Sequence, residues 1–111
     1  MRKYSVRITP SAIQDLEELA DFYLEMVDEA SAARFSEDVL DTLQRLDTLP
    51  EGNAYFDEDH KLRRVHVKNH KVSIVYTVDN GVYEVIAFGA FHTSGQPSKY
   101  VTELVERLKE L

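Results

Sequence analysis

Segment 62–92 contains one alternating run followed by two largely apolar runs, a pattern that predicts three β-strands joined by two tight turns. Asn80-Gly81 separates the second and third runs. This dipeptide is typical of a type I′ hairpin, in which both central residues have positive φ. A second turn is expected at 68–71, because Asn69 tolerates left-handed backbone angles. An antiparallel three-stranded meander is therefore predicted.

Two helices are predicted before the meander, after an alternating N-terminal strand at 4–9. Thr9 and Pro10 have the residue types of a helix N-cap and a first helical position, and Ser31 is the predicted N-cap of the second helix. Apolar residues recur at three- and four-residue spacing in both helices. These positions are Ile13, Leu16, Leu19, Ala20, Tyr23 and Val27, then Ala32, Phe35, Val39, Leu43 and Leu46. The short connection between the helices implies an antiparallel hairpin.

Residues 50–60 contain acids and turn formers and are predicted to be a loop, as are residues 93–97. Ser98 is the predicted cap of a C-terminal helix with Val101, Leu104, Val105, Leu108 and Leu111 on one side. The order β-α-α-β-β-β-α predicts a single α+β domain over residues 1–111. We expect the first strand to join the meander beside a later strand, giving a four-stranded mixed sheet.

Most aromatic and acidic residues of these elements have a structural interpretation. The aromatic residues predicted to lie in the core are Tyr4, Phe22, Tyr23, Phe35, Tyr76, Phe88 and Phe91. The acids predicted to form a solvated face of the first helix are Asp15, Glu18, Asp21 and Glu25. Tyr55 and Phe56, in the acidic loop, suit either the cover of a sheet edge or a partner interface.

Charge changes this picture because it is unevenly distributed. The net charge is −7, yet segment 61–71 contains five Lys/Arg residues and no acid. Strand alternation places Arg64, His66 and Lys68 on one face, opposite Val65 and Val67. This basic segment predicts a surface that meets a polyanion. The alternative is that Arg64 and Lys68 form ion pairs with the acidic helices, since exposed pairs are common and weak.

Several site classes are not expected. The chain has no cysteine, which removes disulfides and thiolate metal sites and fits a cytoplasmic protein. No run approaches the ~20 apolar residues of a membrane span, and the N-terminus does not resemble a signal peptide. His60, His66 and His70 lack the spacing of metal ligands on one helix face. With no Gly-rich phosphate loop or nucleophile motif, neither a metal nor a cofactor is predicted.

The candidate catalytic residues are Arg64, His66, Lys68, His92 and Tyr100. Arginine and lysine hold phosphate oxygens, and histidine carries protons near neutral pH. A tyrosine early in the last helix offers a hydroxyl or a stacking surface. Together these groups are the parts needed to cleave RNA through its own 2′-hydroxyl.

With this order of elements, nearly the whole chain resembles the RelE/ParE superfamily of type II toxin-antitoxin toxins. The resemblance rests on YSVRITPSAIQDLEELADFYLE, AARFSEDVLDTLQRLDTLPEG, LRRVHV, VSIVYTVDNGVYEVIAFGAFH and SKYVTELVERL. It implies a small toxin held inactive by a cognate antitoxin whose extended segment wraps it in a hetero-oligomer. It leaves open RelE-like cleavage of mRNA on the ribosome and ParE-like poisoning of DNA gyrase without RNA cleavage, so enzymatic activity stays undecided.

The resemblance also assigns residues. Tyr100 is similar to a tyrosine that RelE-like enzymes use, and their basic strand corresponds to Arg64, His66 and Lys68. The long helix hairpin and His92 look ParE-like.

The chain departs from both patterns. Ser73 stands where RelE-like toxins have an arginine, and residues 93–95 lack the arginine that follows the last strand in both groups. A degenerate, non-toxic member that acts as a protein-binding module is therefore the alternative function. In each case we expect an acidic or amphipathic antitoxin segment to cover the basic segment 61–71.

Overall fold

The computed structural model describes residues 3–94 and 98–111. In chain order its elements are β1 (Ser5–Ile8), α1 (Pro10–Met26), α2 (Glu29–Arg45), β2 (Tyr55–Asp57), β3 (Leu62–His66), β4 (Val72–Asp79), β5 (Glu84–His92) and α3 (Ser98–Leu108), with a 3₁₀ turn at Pro50–Gly52. The predicted helix hairpin, meander and C-terminal helix are all present. Loop residues 95–97 and the Ser98 side chain, a predicted cap, lie outside the described part of the chain.

The sheet has the strand order β1-β5-β4-β3-β2, in which β1 pairs parallel with β5 and the other pairs are antiparallel. This confirms the α+β class and the mixed sheet with β1 beside the meander. The prediction of four strands is wrong, because Tyr55 pairs with Arg63 and makes β2 a fifth strand. A strand of three residues in an acidic, turn-rich segment is too short for alternation to reveal.

Local side-chain hydrogen bonds set where the helices begin. The Thr9 hydroxyl accepts from the Ala12 N–H at 3.2 Å, which confirms the predicted cap of α1. Helix α2 begins earlier than predicted, because the Asp28 carboxylate accepts from the Ser31 N–H at 2.7 Å and acts as its N-cap. Aspartate and serine are both favoured N-cap residues, and the helix begins at Asp28, which comes first along the chain.

One of the two predicted turns of the meander is confirmed by the structure, and the other is not. Asn69 has φ 71°, as predicted for the β3–β4 turn. The type I′ turn at Asn80-Gly81 is wrong, because the β4–β5 connection has four residues and its left-handed position is Tyr83, with φ 52°. The Asp79 carboxylate accepts from the Gly81 N–H at 2.9 Å, so a side chain closes the turn that positive φ at Gly81 was expected to form.

The sheet is covered on both faces. Helices α1 and α2 pack on one face over a core that includes Phe35, Leu43, Ile74 and Tyr76. Helix α3 covers part of the other face, where the core contains Leu62, Val75, Phe88, Phe91 and Leu104. Most of the predicted aromatic core is confirmed, but Phe22 is 48% exposed. Its neighbour Tyr23 occupies the inward position in the helix, stacked on Phe35.

A bulge in β5 makes room for α3. Val75 pairs with Gly89 and Tyr76 pairs with Ala87, so Phe88 is the extra residue. Phe88 packs in the core under α3, and a Cβ added at Gly89 would overlap the Leu104 side chain of that helix. Two consecutive residues of β5 therefore face α3, and the second must lack a side chain.

We expect Gly89→Ala to destabilise the protein by about 1–3 kcal/mol, because the new methyl group overpacks the contact with Leu104. Urea unfolding measures this free energy. Gly52→Ala is the control, since a Cβ at Gly52 meets no atom within 4 Å, and its effect should stay within about 0.5 kcal/mol. Equal stability of the two variants would show that Gly89 is not needed to seat α3.

Candidate functional site

Arg64 and His66 project from β3 into an open cleft of about 540 Å³, which we call the cationic cleft. Its lining residues are Asn53, Ala54, Arg64, His66, Ser73 and Thr93. His66 lies opposite Ser73 on β4, so the imidazole has a hydroxyl-bearing neighbour across the strand pair. The strand therefore brings together two of the predicted site residues.

The wall of the cationic cleft at residues 53–54 is held by hydrogen bonds from inside the fold. The Arg64 N–H donates to the Ala54 carbonyl at 3.1 Å, and the Arg63 guanidinium donates to the Asn53 carbonyl at 2.7 Å. The Tyr76 hydroxyl donates to the Pro50 carbonyl and accepts from the Asn53 amide at 2.9 Å. Burial raises the pKa of Tyr76 further above neutral pH, where its phenol is protonated and donates.

The basic side chains predicted as site residues on β3 and its turn have no partner within the described part of the fold. Among the described residues, the side chains of Arg64, His66 and Lys68 make no hydrogen bond or ion pair. The alternative that Arg64 and Lys68 pair with the acidic helices is therefore wrong for the described residues. All three side chains are exposed, but Lys68 lies beyond the end of β3, in the turn, and does not line the cationic cleft.

His70 does not belong to this surface, although it falls within the basic segment. Its Nε2 lies 2.8 Å from an Asp38 carboxylate oxygen and its Nδ1 lies 3.1 Å from the Tyr23 hydroxyl. The ring packs edge-on against Tyr23 and Phe35 and is 10% exposed. His70 thus ties the β3–β4 turn to the helix hairpin, a contact over long sequence distances that charge counting does not reveal.

His92 and Tyr100 line a different cleft, of about 560 Å³, between α1, the end of β5 and α3. We call it the acidic cleft. Its lining residues are Asp15, Glu18, Leu19, Phe22, Ala90, Phe91, His92, Ser94, Tyr100, Glu103, Leu104 and Arg107. The His92 Nδ1 lies 2.6 Å from the Ser94 hydroxyl, and the Tyr100 ring stacks on Phe91 at 4.8 Å between centroids. The five predicted site residues are therefore divided between two clefts and a turn.

An ion pair that sequence reasoning missed lies at the base of the acidic cleft. The Arg107 guanidinium donates to both Asp15 carboxylate oxygens, at 2.6 and 3.2 Å, and to the Phe88 carbonyl at 3.2 Å. Asp15 also accepts from the Ala90 N–H at 3.1 Å. The hydrogen bonds to Asp15 raise the pKa of Arg107. The prediction that Asp15 belongs to a solvated helix face is therefore wrong. Its side chain joins α1 to β5 and α3.

The described residues contain no group of three or more His, Cys, Asp or Glu side chains placed to hold a metal ion. No helix within the same residues is long and apolar enough to cross a bilayer.

A model of the ParE toxin family of type II toxin-antitoxin systems matches residues 6–97. The chain belongs to this family. The match confirms the RelE/ParE resemblance inferred from the sequence and identifies the chain as a toxin of a type II toxin-antitoxin module. A comparison with curated protein sequences gives no match.

Solved structures agree with the fold of this ParE-family toxin. A chain of the chromosomal ParDE system of P. aeruginosa is 18% identical, with a TM-score of 0.70, over 81% of this chain and 96% of that one. A chain of the RelBE2 toxin-antitoxin complex of Mycobacterium tuberculosis is 18% identical, with a TM-score of 0.59, over 86% and 97%. A free E. coli RelE mutant is 13% identical, with a TM-score of 0.59, over 95% and 97%.

The toxin thus has two clefts of different chemistry. In the cationic cleft, a planar guanidinium, an imidazole, two hydroxyls and an amide suit the binding of an oxyanion. The described lining of the acidic cleft combines three carboxylates with aromatic rings, and the one guanidinium within it is already bonded to Asp15 and Glu103.

We expect the Asp15–Arg107 pair to show a coupling energy of about 1–2 kcal/mol in a double-mutant cycle with alanine, because the two side chains share a partly buried, two-pronged contact. Urea unfolding of the four proteins measures it. The exposed pair Asp41–Arg45 is the matched control and should couple by less than about 0.5 kcal/mol. Equal coupling in both pairs would contradict a special role for Asp15–Arg107.

Proposed function

We propose that this toxin stops growth by binding and poisoning DNA gyrase, as ParE-like toxins do, and that it does not cleave RNA. The observation that carries the proposal is the separation of the candidate acid-base residues. Cleavage through a 2′-hydroxyl needs a base, an acid and a phosphate-binding group around one phosphate. His66 and Arg64 line one cleft, whereas His92 and Tyr100 line the other.

The charge of the acidic cleft supports the same proposal. Asp15, Glu18 and Glu103 surround the cleft that contains His92 and Tyr100, and a phosphate there would be repelled by these carboxylates. The cationic cleft accepts an anion more readily, yet His66 is the one histidine, tyrosine or carboxylic side chain among its described lining residues. Binding an acidic surface requires cations alone, and these are present and unpaired within the described chain.

We also propose that a cognate antitoxin neutralises the toxin by covering the cationic cleft. The structures similar to this chain include a ParDE system and a RelBE2 toxin-antitoxin complex. Arg64, His66 and Lys68 are exposed and without partners in the described fold. An acidic or amphipathic antitoxin segment supplies the missing carboxylates and thereby blocks the surface that binds the target.

The target assignment predicts that the purified toxin inhibits gyrase supercoiling and leaves mRNA on translating ribosomes intact. Replacing Arg64 and His66 by alanine together should raise the inhibitory concentration by at least about tenfold, since central arginine contacts dominate many interfaces. Arg45→Ala, which removes an exposed arginine on α2, should leave inhibition unchanged. Ribosome-dependent cleavage lost in the Arg64/His66 variant would instead establish the RelE-like activity. No growth arrest on expression without antitoxin would favour the non-toxic binding module.

For the antitoxin, we expect charge reversal at Arg64 and Lys68 to weaken the complex by at least about tenfold, because acidic antitoxin groups would then face like charges. The antitoxin encoded beside the toxin gene is the ligand, and calorimetric titration measures the affinity. Reversal of Arg34 and Arg45, two exposed cations on α2, is the control of equal charge change. An affinity unaffected by reversal at the cleft would place the antitoxin elsewhere.

A further inference from the structure

The acidic cleft has an apolar floor with an exposed aromatic ring at its wall. Phe91 and Leu104 are buried beneath it, at 3% exposure each, and Leu19 is half-buried beside them. Phe22, on the same side of α1 as Leu19, is 48% exposed. Tyr100 lines the cleft from α3, with its ring stacked on Phe91. Apolar and aromatic surface of this kind, concentrated in one concavity, is typical of a docking site.

The acidic cleft has an excess of negative charge, because the one guanidinium in its described lining is shared between two carboxylates. Arg107 bonds to Asp15 and donates to Glu103 at 2.9 Å, so one cation serves two carboxylates. Glu18 accepts from the Gln14 amide at 3.2 Å, and within the described residues no cation pairs with it. The described lining therefore has a surplus of negative charge above an apolar floor.

We propose that the acidic cleft receives an arginine side chain carried by an apolar segment of the antitoxin. The guanidinium bonds to the exposed carboxylates of Glu18 and Glu103, and its plane lies against the ring of Phe22 or Tyr100. The methylene groups of the arginine and its apolar neighbours cover the floor. This inference rests on the proposed antitoxin partner and adds a contact of opposite charge to the one at the cationic cleft.

Charge complementarity distinguishes the antitoxin segment from the acidic gyrase surface proposed for the cationic cleft. The surplus carboxylates of the acidic cleft would repel an acidic surface. A basic group flanked by apolar side chains satisfies both the carboxylates and the floor. An arginine suits the cleft better than a lysine, because the planar guanidinium both stacks on a ring and bonds to a carboxylate with two N–H groups.

The test uses the full toxin, labelled with ¹⁵N, and the blocked peptide acetyl-Leu-Arg-Leu-amide as the probe. Amide shift changes should concentrate at Leu19, Phe22, Ala90 and Tyr100. The same peptide with citrulline, which keeps the shape but lacks the charge, should bind at least about fivefold more weakly. Raising salt from about 0.05 to 0.3 M should weaken only the arginine peptide.

Variants of the toxin test which carboxylates bind the arginine peptide. The double variant Glu18→Gln/Glu103→Gln should reduce the affinity for the arginine peptide to that of the citrulline peptide. Glu25→Gln/Glu106→Gln, an equal charge change on exposed positions of the same two helices, should keep it within about twofold. Asp15 is left unchanged in both proteins because it supports β5 and α3.

Three outcomes would overturn the proposal. The first is equal binding of the arginine and citrulline peptides, and the second is a shift pattern spread over the acidic faces of α1 and α2. The third is a dimer of the toxin alone that Phe22→Ser dissociates, which would make a second copy the occupant. These measurements involve neither gyrase nor the cationic cleft. A negative result for the acidic cleft therefore leaves the proposed gyrase inhibition to its own test.

Discussion

The unpaired edge of β5 is the constraint on which the rest of the structure depends. β4 pairs with β5 along its length, but β1 pairs with it only at residues 84–87, so the second half of β5 has no strand neighbour on that side. Buried backbone groups must find partners, and here side chains supply them. Asp15 accepts from the Ala90 N–H, and Arg107 donates to the Phe88 carbonyl. Because Asp15 and Arg107 also bond to each other, this edge joins α1, β5 and α3.

The same edge separates the two clefts. α3 is seated over β5 where the bulge at Phe88 and the absent side chain of Gly89 allow it to approach. The sheet face under α3 is therefore buried near β5 and open near β3, where Arg64 and His66 project. The acidic cleft forms on the other side of α3, against α1. One packing contact thus decides which candidate residues share a surface.

Much of the fold followed from local patterns in the sequence. Apolar spacing of three and four predicted α1 and α2, and alternation predicted β3, because these periods report which side of an element is buried. β4 and β5 were predicted as apolar runs bounded by turn residues, and both are buried along most of their length. The predicted type I′ turn and the predicted start of α2 failed because nearby aspartates accept backbone N–H groups there. The other failures depended on contacts distant in sequence or on short elements. Strand β2 has three residues, and it is defined by its pairing with β3.

The site was less predictable than the fold for the same reason. Alternation correctly placed Arg64 and His66 together, since neighbours two residues apart on one strand need no tertiary information. His70 lies in a turn, and its partner Asp38 is 32 residues away, so its burial had no local signal. Asp15 resembles its solvated neighbours on α1 in sequence, and it is distinguished by contacts with Ala90 and Arg107, which lie 75 and 92 residues away.

The opposite charges of the two clefts bear on how a small acidic protein achieves specificity for a partner. A net charge of −7 repels acidic macromolecules at long range, so attraction to them is confined to the short distances at which Arg64, His66 and Lys68 make contact. A partner that offers acid to the cationic cleft and a base to the acidic cleft is attracted at both. A partner of uniform charge is attracted at one cleft and repelled at the other. The difference in binding free energy between the two kinds of partner is what defines specificity. The distribution of charge, more than its sum, therefore determines which kind of partner the two clefts attract together.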